Sequence, residues 1–311
     1  MSIKHSLIVP CYNEEGNVEN FLKETREAMK GYTDSYEIIF VNDGSKDSTP
    51  KKLRQIFNEN KDVRIKVINF SRNFGKEAAM YAGFTIASGD YITIIDADLQ
   101  QDPKYAVEMA KILDSDPDCD MVAAYQAHRK VGKALSKGKH AFYKTISFLS
   151  GIDFISDASD FRTLRKSVAD TIVALPEYHR FSKGIFSWVG YNTVSIPYEV
   201  RERENGETKW NLKKLVAYAV EGIMAYTDKP LKLPLYLGAI LLLVSLVLGV
   251  LGLFVPYYGI VSAVLFVGSL VLICQGINGA YLGKVHTQVK DRPIFISKEI
   301  LTYENNQESD N

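Results

Sequence analysis

The first 125 residues alternate between short apolar runs and longer segments with helical spacing of apolar positions. The runs are rich in β-branched and aromatic residues and read SLIVP, YEIIFVN, IKVINF, YITIID and DMVAAY. Between them, helices are predicted at residues 15–30, 48–60, 75–88 and 103–114. This alternation predicts an α/β fold, in which a mostly parallel sheet is covered by helices on both faces.

Polar residues follow four of the predicted strands. The segments are PCYNEE after the first strand, NDGSKDS after the second, SRNFGK after the third and DADLQ after the fourth. Ligands of such sheets bind in the crevice beyond the carboxyl ends of the strands. The four loops are therefore predicted to form one site.

A long apolar stretch follows the charged part of the chain. From Leu233 to Gly283 there is no Asp, Glu, Lys, Arg or His. A membrane-crossing helix needs about 20 apolar residues, so the stretch is long enough for two, with a turn at FVPYYG (residues 254–259). The alternative is a buried apolar hairpin in a soluble domain. It is disfavoured because LGAILLLVSLVLGVLGLF has no polar face.

The charges beside this stretch predict its orientation. Lys229 and Lys232 precede it, Lys284, Lys290 and Arg292 follow it, and the predicted turn carries no charge. Positively charged flanks stay on the cytoplasmic side, so both termini are predicted to be cytoplasmic.

Two segments before the apolar stretch allow two interpretations each. Residues 209–226 have one apolar stripe, which is typical either of a core-facing helix or of an interfacial helix lying on the bilayer. Residues 126–150 are basic and carry no acidic residue. They are either a solvated face or a segment near an anionic membrane or phosphate.

Composition narrows the function classes. Lys and Arg together number 37, as do Asp and Glu, and this balance is not that of a nucleic-acid-binding protein. Cys11, Cys119 and Cys274 form no C-x-x-C pair, which indicates reduced thiols in a cytosol-facing protein. The five histidines have no metal-ligand spacing.

Asp96 and Asp98 end the fourth apolar run, one residue apart. Two neighbouring carboxylates are costly unless a cation compensates them. A hard divalent cation does so, bound through one or two carboxylates together with substrate phosphates. A capped turn before the next helix is the alternative; it accounts for Asp102 but not for the pair.

The second loop offers a different chemistry. Asp43, in VNDGS, is suited to accept hydrogen bonds from a base or ribose, although an Asp-Gly turn is the alternative. Tyr12 is suited to stack on a flat ring, with Asn13 and Glu14 offering polar contacts. No G-x-G-x-x-G or Walker A pattern occurs, so the phosphates are not expected to be held in either of those ways.

Taken in order, VPCYNEE, FVNDGSKDS, SRNFGKEAAMYAGF and IDADLQQDP closely resemble the inverting nucleotide-sugar glycosyltransferases of family 2, which have the GT-A fold. The resemblance narrows to polyprenyl-phosphate glycosyltransferases, the group of dolichol-phosphate mannose synthase and bactoprenol glucosyltransferase. It continues through DFR at 160–162, RENGETKW at 203–210 and the apolar pair. Asn42 departs from the Asp of many relatives, a change expected to be tolerated. The absence of Q-x-x-R-W argues against a processive polysaccharide synthase.

The resemblance implies roles for individual residues. The nucleoside is expected to lie against Asp43, Pro10, Tyr12 and Glu14.

The remaining implied roles concern the diphosphate, the sugar and the acceptor. Asp96 and Asp98 are expected to hold the ribose and an Mg²⁺ or Mn²⁺ ion on the diphosphate, with Gln100 beside them and Asp98 counted as catalytic. Asp160, or Asp157 nearby, is expected to position the donor sugar or the acceptor. Residues expected to bind the lipid phosphate are Arg203, Lys209 and Arg129.

The implied reaction is inverting transfer of a sugar onto polyprenyl (undecaprenyl) phosphate at the cytoplasmic face of the inner membrane. A phosphate monoester has a second pKa of about 6, so the nucleophile is already an anion and a strong general base is not needed. The Asp of DFR is more typical of the glucosyl-type branch, so UDP-glucose is the expected donor. UDP-N-acetylglucosamine, UDP-galactose and GDP-mannose remain open, as do diacylglycerol or a glycan as acceptor. A non-catalytic membrane scaffold is the third hypothesis, and a homo-oligomer is left open.

The expected organisation has four parts. Residues 1–205 form a cytosolic GT-A domain, 206–230 an amphipathic interfacial helix and 231–284 two transmembrane helices. Residues 285–311 form a cytosolic tail with a disordered end.

Overall fold

The computed structural model describes residues 3–127, 158–175, 177–201, 237, 240 and 257–303. Of these, residues 257–292 belong to a second compact unit, and almost all the others form the first, which is built on one sheet. The strands are β1 (His5–Cys11), β2 (Tyr36–Asn42), β3 (Arg64–Phe70), β4 (Tyr91–Ile94), β5 (Met121–Gln126), β6 (Ala158–Arg165), β7 (Thr193–Tyr198) and β8 (Ser297–Leu301). The helices of this unit are α1 (Val18–Met29), α2 (Thr49–Glu59), α3 (Lys76–Ile86), α4 (Lys104–Ser115), α5 (Lys166–Ala174) and α6 (Ser182–Trp188).

The strands form an eight-stranded sheet in the order β7-β5-β6-β4-β1-β2-β3-β8. Strand β1 pairs in parallel with β2 and β4, β2 with β3, and β5 with β7. Strand β6 is antiparallel to both β4 and β5, and β8 is antiparallel to β3. The five predicted strands and four predicted helices are confirmed as β1–β5 and α1–α4.

Helix α1 shows why the hydrophobic pattern predicts the helices correctly. The buried side chains of α1 recur at helical spacing: Val18, Phe21, Leu22, Thr25 and Met29. Burying a large apolar side chain of this kind contributes about 1.5–3 kcal/mol. The stripe therefore fixes which face of the helix packs on the sheet.

Strand β6 matters most for the site. Its antiparallel register pairs Ile94 of β4 with Arg162. Continuing that register by two residues on each strand sets Asp160 across from Asp96. The D-F-R motif and the D-x-D motif therefore meet at the same edge of the sheet.

The second unit contains α7 (Tyr257–Val289), a helix of 33 residues. Within the described ranges, one segment is long and apolar enough to cross a membrane, Phe266–Val289. The predicted turn at 254–259 is wrong for Tyr257, Tyr258 and Gly259, which are helical. A glycine costs a helix only about 1 kcal/mol, which the hydrogen bonds of so long a helix offset.

Other predictions for this part of the chain fall largely outside the described residues. They are the interfacial helix at 206–230, the first membrane helix except Leu237 and Ile240, and the basic stretch after residue 127. Strand β8 was not predicted. It lies in the segment expected to be a tail and pairs with β3 instead.

Candidate active site

The loops that follow β1, β2, β3 and β4 lie at one edge of the sheet and contact one another in sequence. We call them loop 1 (residues 12–17), loop 2 (43–48), loop 3 (71–75) and loop 4 (95–103). Loops 1 and 2 are joined through Asn13, whose backbone N–H donates to Ser45 Oγ at 2.9 Å. The side-chain Oδ1 of Asn13 accepts the N–H of Lys46, also at 2.9 Å. Asn13 adopts the left-handed backbone conformation that this exchange requires, with φ 56°.

The residues expected to bind a nucleoside stand at the start of this edge. Pro10 and Tyr12 are half-buried. Glu14 is fixed at both backbone and side chain: its N–H donates to Thr49 Oγ1 at 2.8 Å, and its Oε2 accepts from Asn17 Nδ2 at 2.6 Å.

Asp43 joins loop 2 to loop 3. Its Oδ1 accepts the N–H of Phe74 at 2.6 Å, and its Oδ2 accepts the N–H of Gly75 at 3.0 Å. Burial raises the pKa of Asp43, while these two N–H groups and nearby Arg72 act in the opposite direction. The carboxylate therefore holds the two loops together.

Gly44 allows this close approach. Its φ is +63°, and a Cβ at this position would lie 2.3 Å from the carbonyl carbon of Arg72. A side chain here would push loops 2 and 3 apart.

Loop 4 presents Asp96, Asp98 and Gln100 on one side, all partly exposed, while Ala97 and Leu99 are each 2% exposed. Leu99 has φ 57°, which bends the chain so that it remains buried while its polar neighbours face the edge.

Hydrogen bonds fix the side chains of loop 4. Asp98 Oδ1 accepts the N–H of Gln100 at 3.2 Å. Gln101 accepts the N–H of Asp96 at 3.0 Å and donates to Asp96 Oδ2 at 3.4 Å. Asp102 Oδ1 accepts the N–H of Lys104, the first residue of α4, at 2.9 Å, which fits the interpretation of Asp102 as part of a capped turn before this helix.

Lys76, the first residue of α3, lies between the two facing carboxylates. Its Nζ is 2.7 Å from Asp96 Oδ1 and 3.1 Å from Asp160 Oδ2. Two carboxylates held close together repel each other, and the ammonium group relieves that repulsion. Lys76 directly follows loop 3, so its contact with Asp96 joins loop 3 to loop 4. All four loops are then linked in order along the chain.

This arrangement keeps Asp160 ionised. Burial alone would raise the pKa of Asp160, but Lys76, Lys183 and Arg162 together lower it to about 2. Burial lowers the pKa of Lys76, yet Asp96 and Asp160 outweigh it and raise that pKa well above its ordinary value. Among the described residues, no group donates to the buried Oδ1 of Asp160.

Glu77 follows Lys76 in α3. It accepts the N–H of Ser182 at 3.0 Å and also the Ser182 hydroxyl. Burial, reinforced by the charge of Asp160, raises the pKa of Glu77 to about 7.

Arg162 packs its guanidinium 3.7 Å from the centre of the Phe186 ring. Burial lowers the pKa of Arg162 to about 10, against the opposing effect of Asp160 and Glu77. It remains a cation at neutral pH.

The residues present fit a divalent cation bound together with a diphosphate. In the described ranges, His, Cys, Asp and Glu side chains form no group of three or more able to hold a metal ion alone. Asp96 and Asp98 supply two hard oxygen donors on an exposed edge. An ion that takes its other ligands from substrate phosphates and water needs no more than this.

Several site predictions remain untested. Asp157, Arg129, Arg203 and Lys209 lie outside the described residues.

The structure also adds residues that sequence reasoning missed: Lys76, Glu77, Arg162 and Lys183. A signal for the first two was present, because they follow the glycine of SRNFGKE at the start of a helix, directly after a site loop.

Comparison with known proteins places the chain in a family. The model of Glycosyl transferase family 2 matches residues 6–173. The glycosyltransferase sll0501 of Synechocystis sp. is 39% identical, over 96% of this chain and 96% of its own length. The bactoprenol glucosyl transferase of Shigella phage SfII is 36% identical, over 96% of this chain and 98% of its own length. The chain belongs to glycosyl transferase family 2, as the ordered motifs predict.

Among solved structures, glucosyl-3-phosphoglycerate synthase from Mycobacterium tuberculosis, crystallised with Mn²⁺, UDP and phosphoglyceric acid, matches with a TM-score of 0.50. The match covers 71% of this chain and 76% of that one at 18% identity. At this identity it supports the GT-A fold alone.

Proposed function

We propose that the protein transfers glucose from UDP-glucose onto polyprenyl phosphate, with inversion, at the cytoplasmic face of the membrane. Support comes from the near-full-length similarity to a bactoprenol glucosyl transferase. Further support comes from the linked loops at the carboxyl ends of β1 to β4, where ligands of such sheets bind.

In this proposal loops 1 and 2 bind the nucleoside. Tyr12 stacks on the base, while Pro10 and Glu14 line the same end of β1. Both oxygens of Asp43 already accept hydrogen bonds from loop 3: Oδ1 from the N–H groups of Phe74 and Gly75, and Oδ2 from that of Gly75. A carboxylate has about four acceptor positions, so Asp43 has capacity left for a donor group of the base.

Loop 4 holds the diphosphate. Asp98 and Asp96 are the proposed ligands of Mg²⁺ or Mn²⁺, with Gln100 beside them. When bound, the ion draws off charge as the nucleoside diphosphate leaves.

The observation that carries the choice of acceptor is the ion pair of Asp160, whose Oδ2 lies 3.1 Å from Lys76 Nζ. With a pKa of about 2, held down by Lys76, Lys183 and Arg162 against the effect of burial, Asp160 is a weak base at neutral pH. A sugar hydroxyl acceptor needs a base, whereas a lipid phosphate has already lost its proton at a pKa of about 6. We therefore assign Asp160 to positioning the donor sugar or the acceptor, and the site fits a phosphate nucleophile better than a hydroxyl. Asp157, which lies nearby in the chain, is the second candidate for this role.

The proposed acceptor site and membrane anchor draw on the rest of the chain. Arg203, Lys209 and Arg129 are proposed to bind the lipid phosphate. Exposing each CH₂ of a polyprenyl tail to water costs about 0.8 kcal/mol, so the enzyme has to reach the acceptor at the bilayer surface. An interfacial helix at 206–230 and two membrane helices within 231–284 would hold it there, with both termini cytoplasmic. The apolar helix α7 is consistent with the second of these helices.

The test is transfer of label into lipid. The full-length protein in membranes is incubated with labelled UDP-glucose, Mn²⁺ and either undecaprenyl phosphate or diacylglycerol. We expect label in the lipid fraction only with the phosphate, and only weak transfer from UDP-N-acetylglucosamine, UDP-galactose or GDP-mannose. Asp98→Ala should abolish transfer, while Asp118→Ala, an exposed aspartate outside the four loops, should not. Transfer to diacylglycerol, or full activity of Asp98→Ala, would overturn the proposal. Failure of the protein to bind any nucleotide sugar would favour a scaffold.

A further inference from the structure

Strand β8 is the end strand of the sheet next to β3. It pairs antiparallel with β3, and the register places Glu299 directly opposite Asn69. Strand β3 leads into loop 3, so β8 lies beside the strand that supports one of the site loops. None of its residues belongs to the motifs from which the function is proposed.

A chain of side-chain hydrogen bonds runs from Glu299 to loop 2. Asn69 Nδ2 donates to Glu299 Oε2 at 2.8 Å. Asn42 Nδ2 in turn donates to Asn69 Oδ1 at 2.9 Å, and Asn42 Oδ1 accepts the N–H of Ser45 at 3.1 Å. Asn42 and Asn69 are buried, at 3% and 4% exposure, so water cannot readily replace these bonds.

Glu299 determines the direction of this chain. An ionised carboxylate only accepts hydrogen bonds, so Asn69 has to turn its NH₂ group toward Glu299 and its oxygen toward Asn42. Asn42 must then turn its own NH₂ group toward Asn69, which leaves its oxygen for Ser45. The orientation of a turn in loop 2 is thus set by a carboxylate on β8.

Aromatic contacts connect the residues around the start of β8 to loop 3, and through Asp43 to loop 2. The ring of Phe295, just before β8, stacks on Phe70 with centroids 4.9 Å apart, and Phe70 meets Phe74 edge-on at 5.7 Å. The N–H of Phe74 donates to Asp43. The backbone of Ile296 also accepts the N–H of Ser71, at the start of loop 3.

We propose that the segment 295–301 positions the donor-binding edge, and that Glu299 is a positioning residue acting through Asn69 and Asn42. The inference rests on the proposed function only in taking loops 1 to 3 as the nucleotide site. Glu299 acts on the shape of loop 2 and not on the reacting atoms, so it should affect donor affinity more than the turnover of bound donor.

The test is a pair of substitutions that reverse the chain. Asn42→Asp puts an acceptor where a donor is needed, so Asn69 must turn its amide and set its oxygen against Glu299. We expect UDP affinity, measured by calorimetry on the full-length protein in detergent, to fall about tenfold. KM for UDP-glucose should rise in parallel, with kcat nearly unchanged.

The second substitution, Glu299→Gln, should repair the first. The amide group that it introduces can donate to the turned oxygen of Asn69 once Arg54, which donates to the same oxygen of Glu299 at 2.9 Å and is 52% exposed, turns into solvent. Asn42→Asp with Glu299→Gln should therefore return UDP affinity to within about threefold of wild type. Glu299→Gln alone should be nearly neutral, since the amide oxygen still accepts from Asn69. Arg54→Gln is the matched control. It removes the cation 2.9 Å from Glu299 Oε2 without changing the direction of the chain, and it should leave UDP affinity unchanged.

Each outcome decides the matter. Wild-type affinity in Asn42→Asp, or equal weakness in the single and double variants, would overturn the role of Glu299. If Asn42→Asp fails to fold, a double variant that folds supports the coupling, and one that also fails overturns it. If the wild type itself does not bind UDP, the proposed function fails. The coupling is then read from unfolding midpoints, which should fall in Asn42→Asp and recover in the double variant.

Discussion

Lys76→Met is expected to tighten the binding of Mn²⁺ to the donor-free protein. The ammonium group lies 2.7 Å from Asp96 Oδ1, on a carboxylate that we propose as a metal ligand. The lysine and a divalent cation therefore compete for the same oxygen. Methionine keeps much of the side-chain length and removes the charge.

The size of the effect follows from exposure. The side chain of Lys76 is 40% exposed and that of Asp96 is 33% exposed, so solvent screens their attraction. Pairs exposed to this degree contribute about 0.2–1 kcal/mol. We take about 1 kcal/mol as the free energy of attraction between the ammonium group and Asp96. Removing the ammonium group should then lower the Mn²⁺ dissociation constant about fivefold.

The assay is titration of metal-free, full-length protein in detergent with Mn²⁺ at pH 7, with free Mn²⁺ measured by electron paramagnetic resonance. Lys76→Arg keeps the charge and should resemble wild type. Lys104→Met is the matched control. It breaks an ion pair with Asp102, 3.3 Å long and away from Asp96, and should change the affinity by less than about twofold.

Two results would refute the reasoning. Unchanged or weaker Mn²⁺ binding in Lys76→Met would mean that Asp96 is not a ligand or that Lys76 does not compete for it. An equal gain in Lys104→Met would mean that only the overall charge matters.

Three further results are expected. Gly44→Ala should lower the free energy of unfolding by about 2 kcal/mol or more, because its Cβ would meet the backbone of Arg72 at 2.3 Å, whereas Gly31→Ala, at an exposed position with open space, should change it by less than about 0.5 kcal/mol. Equal losses in urea unfolding would contradict this. Burial raises the pKa of Glu77 from 4.5 to about 7, so the stability linked to its protonated form is full below about pH 4.5 and is lost as pH rises through 7. Glu77→Gln should therefore flatten the fall in unfolding midpoint between about pH 5 and 8, and an unchanged fall would show that Glu77 does not titrate there. Asp160→Asn should lower kcat/KM without changing its pH profile between about pH 5 and 8, because the pKa of Asp160 lies near 2 through Lys76 and its other cationic neighbours despite burial. An acid limb present only in the wild type would restore a base role.

The sequence predicts the parallel strands β1 to β4 and the loops after them because each of these strands is a buried apolar run followed directly by polar residues; it misses β7, which pairs in parallel with β5. Strand β6 escapes this logic. It reads ASDFRTLR, and Arg162 and Thr163 are buried although they are polar. Because β6 is buried on both faces, its sequence does not alternate between apolar and polar residues. Its buried polar residues also interrupt the apolar run that marks the other strands.

The bridge between Asp96 and Asp160 could not be predicted for a different reason. The two carboxylates come together only through an antiparallel pairing between distant segments, and the segment SRNFGK places Lys76 beside the site without indicating which carboxylates it contacts. Strand β8 has five residues that alternate between half-buried and exposed, too weak a pattern to separate it from a tail. Tertiary pairing, and not local preference, makes it a strand.

The position of β8 in the chain has a consequence for biosynthesis. Asn69 and Glu299 are 230 residues apart, and α7 lies between them. The ribosome therefore releases β3 long before β8 is synthesised. The edge of β3 that pairs with β8 stays open while the apolar helix is made. An open strand edge invites pairing with other chains. A nascent chain stalled within α7 should consequently depend on chaperones, and nucleotide binding should begin only after translation has passed the last strand.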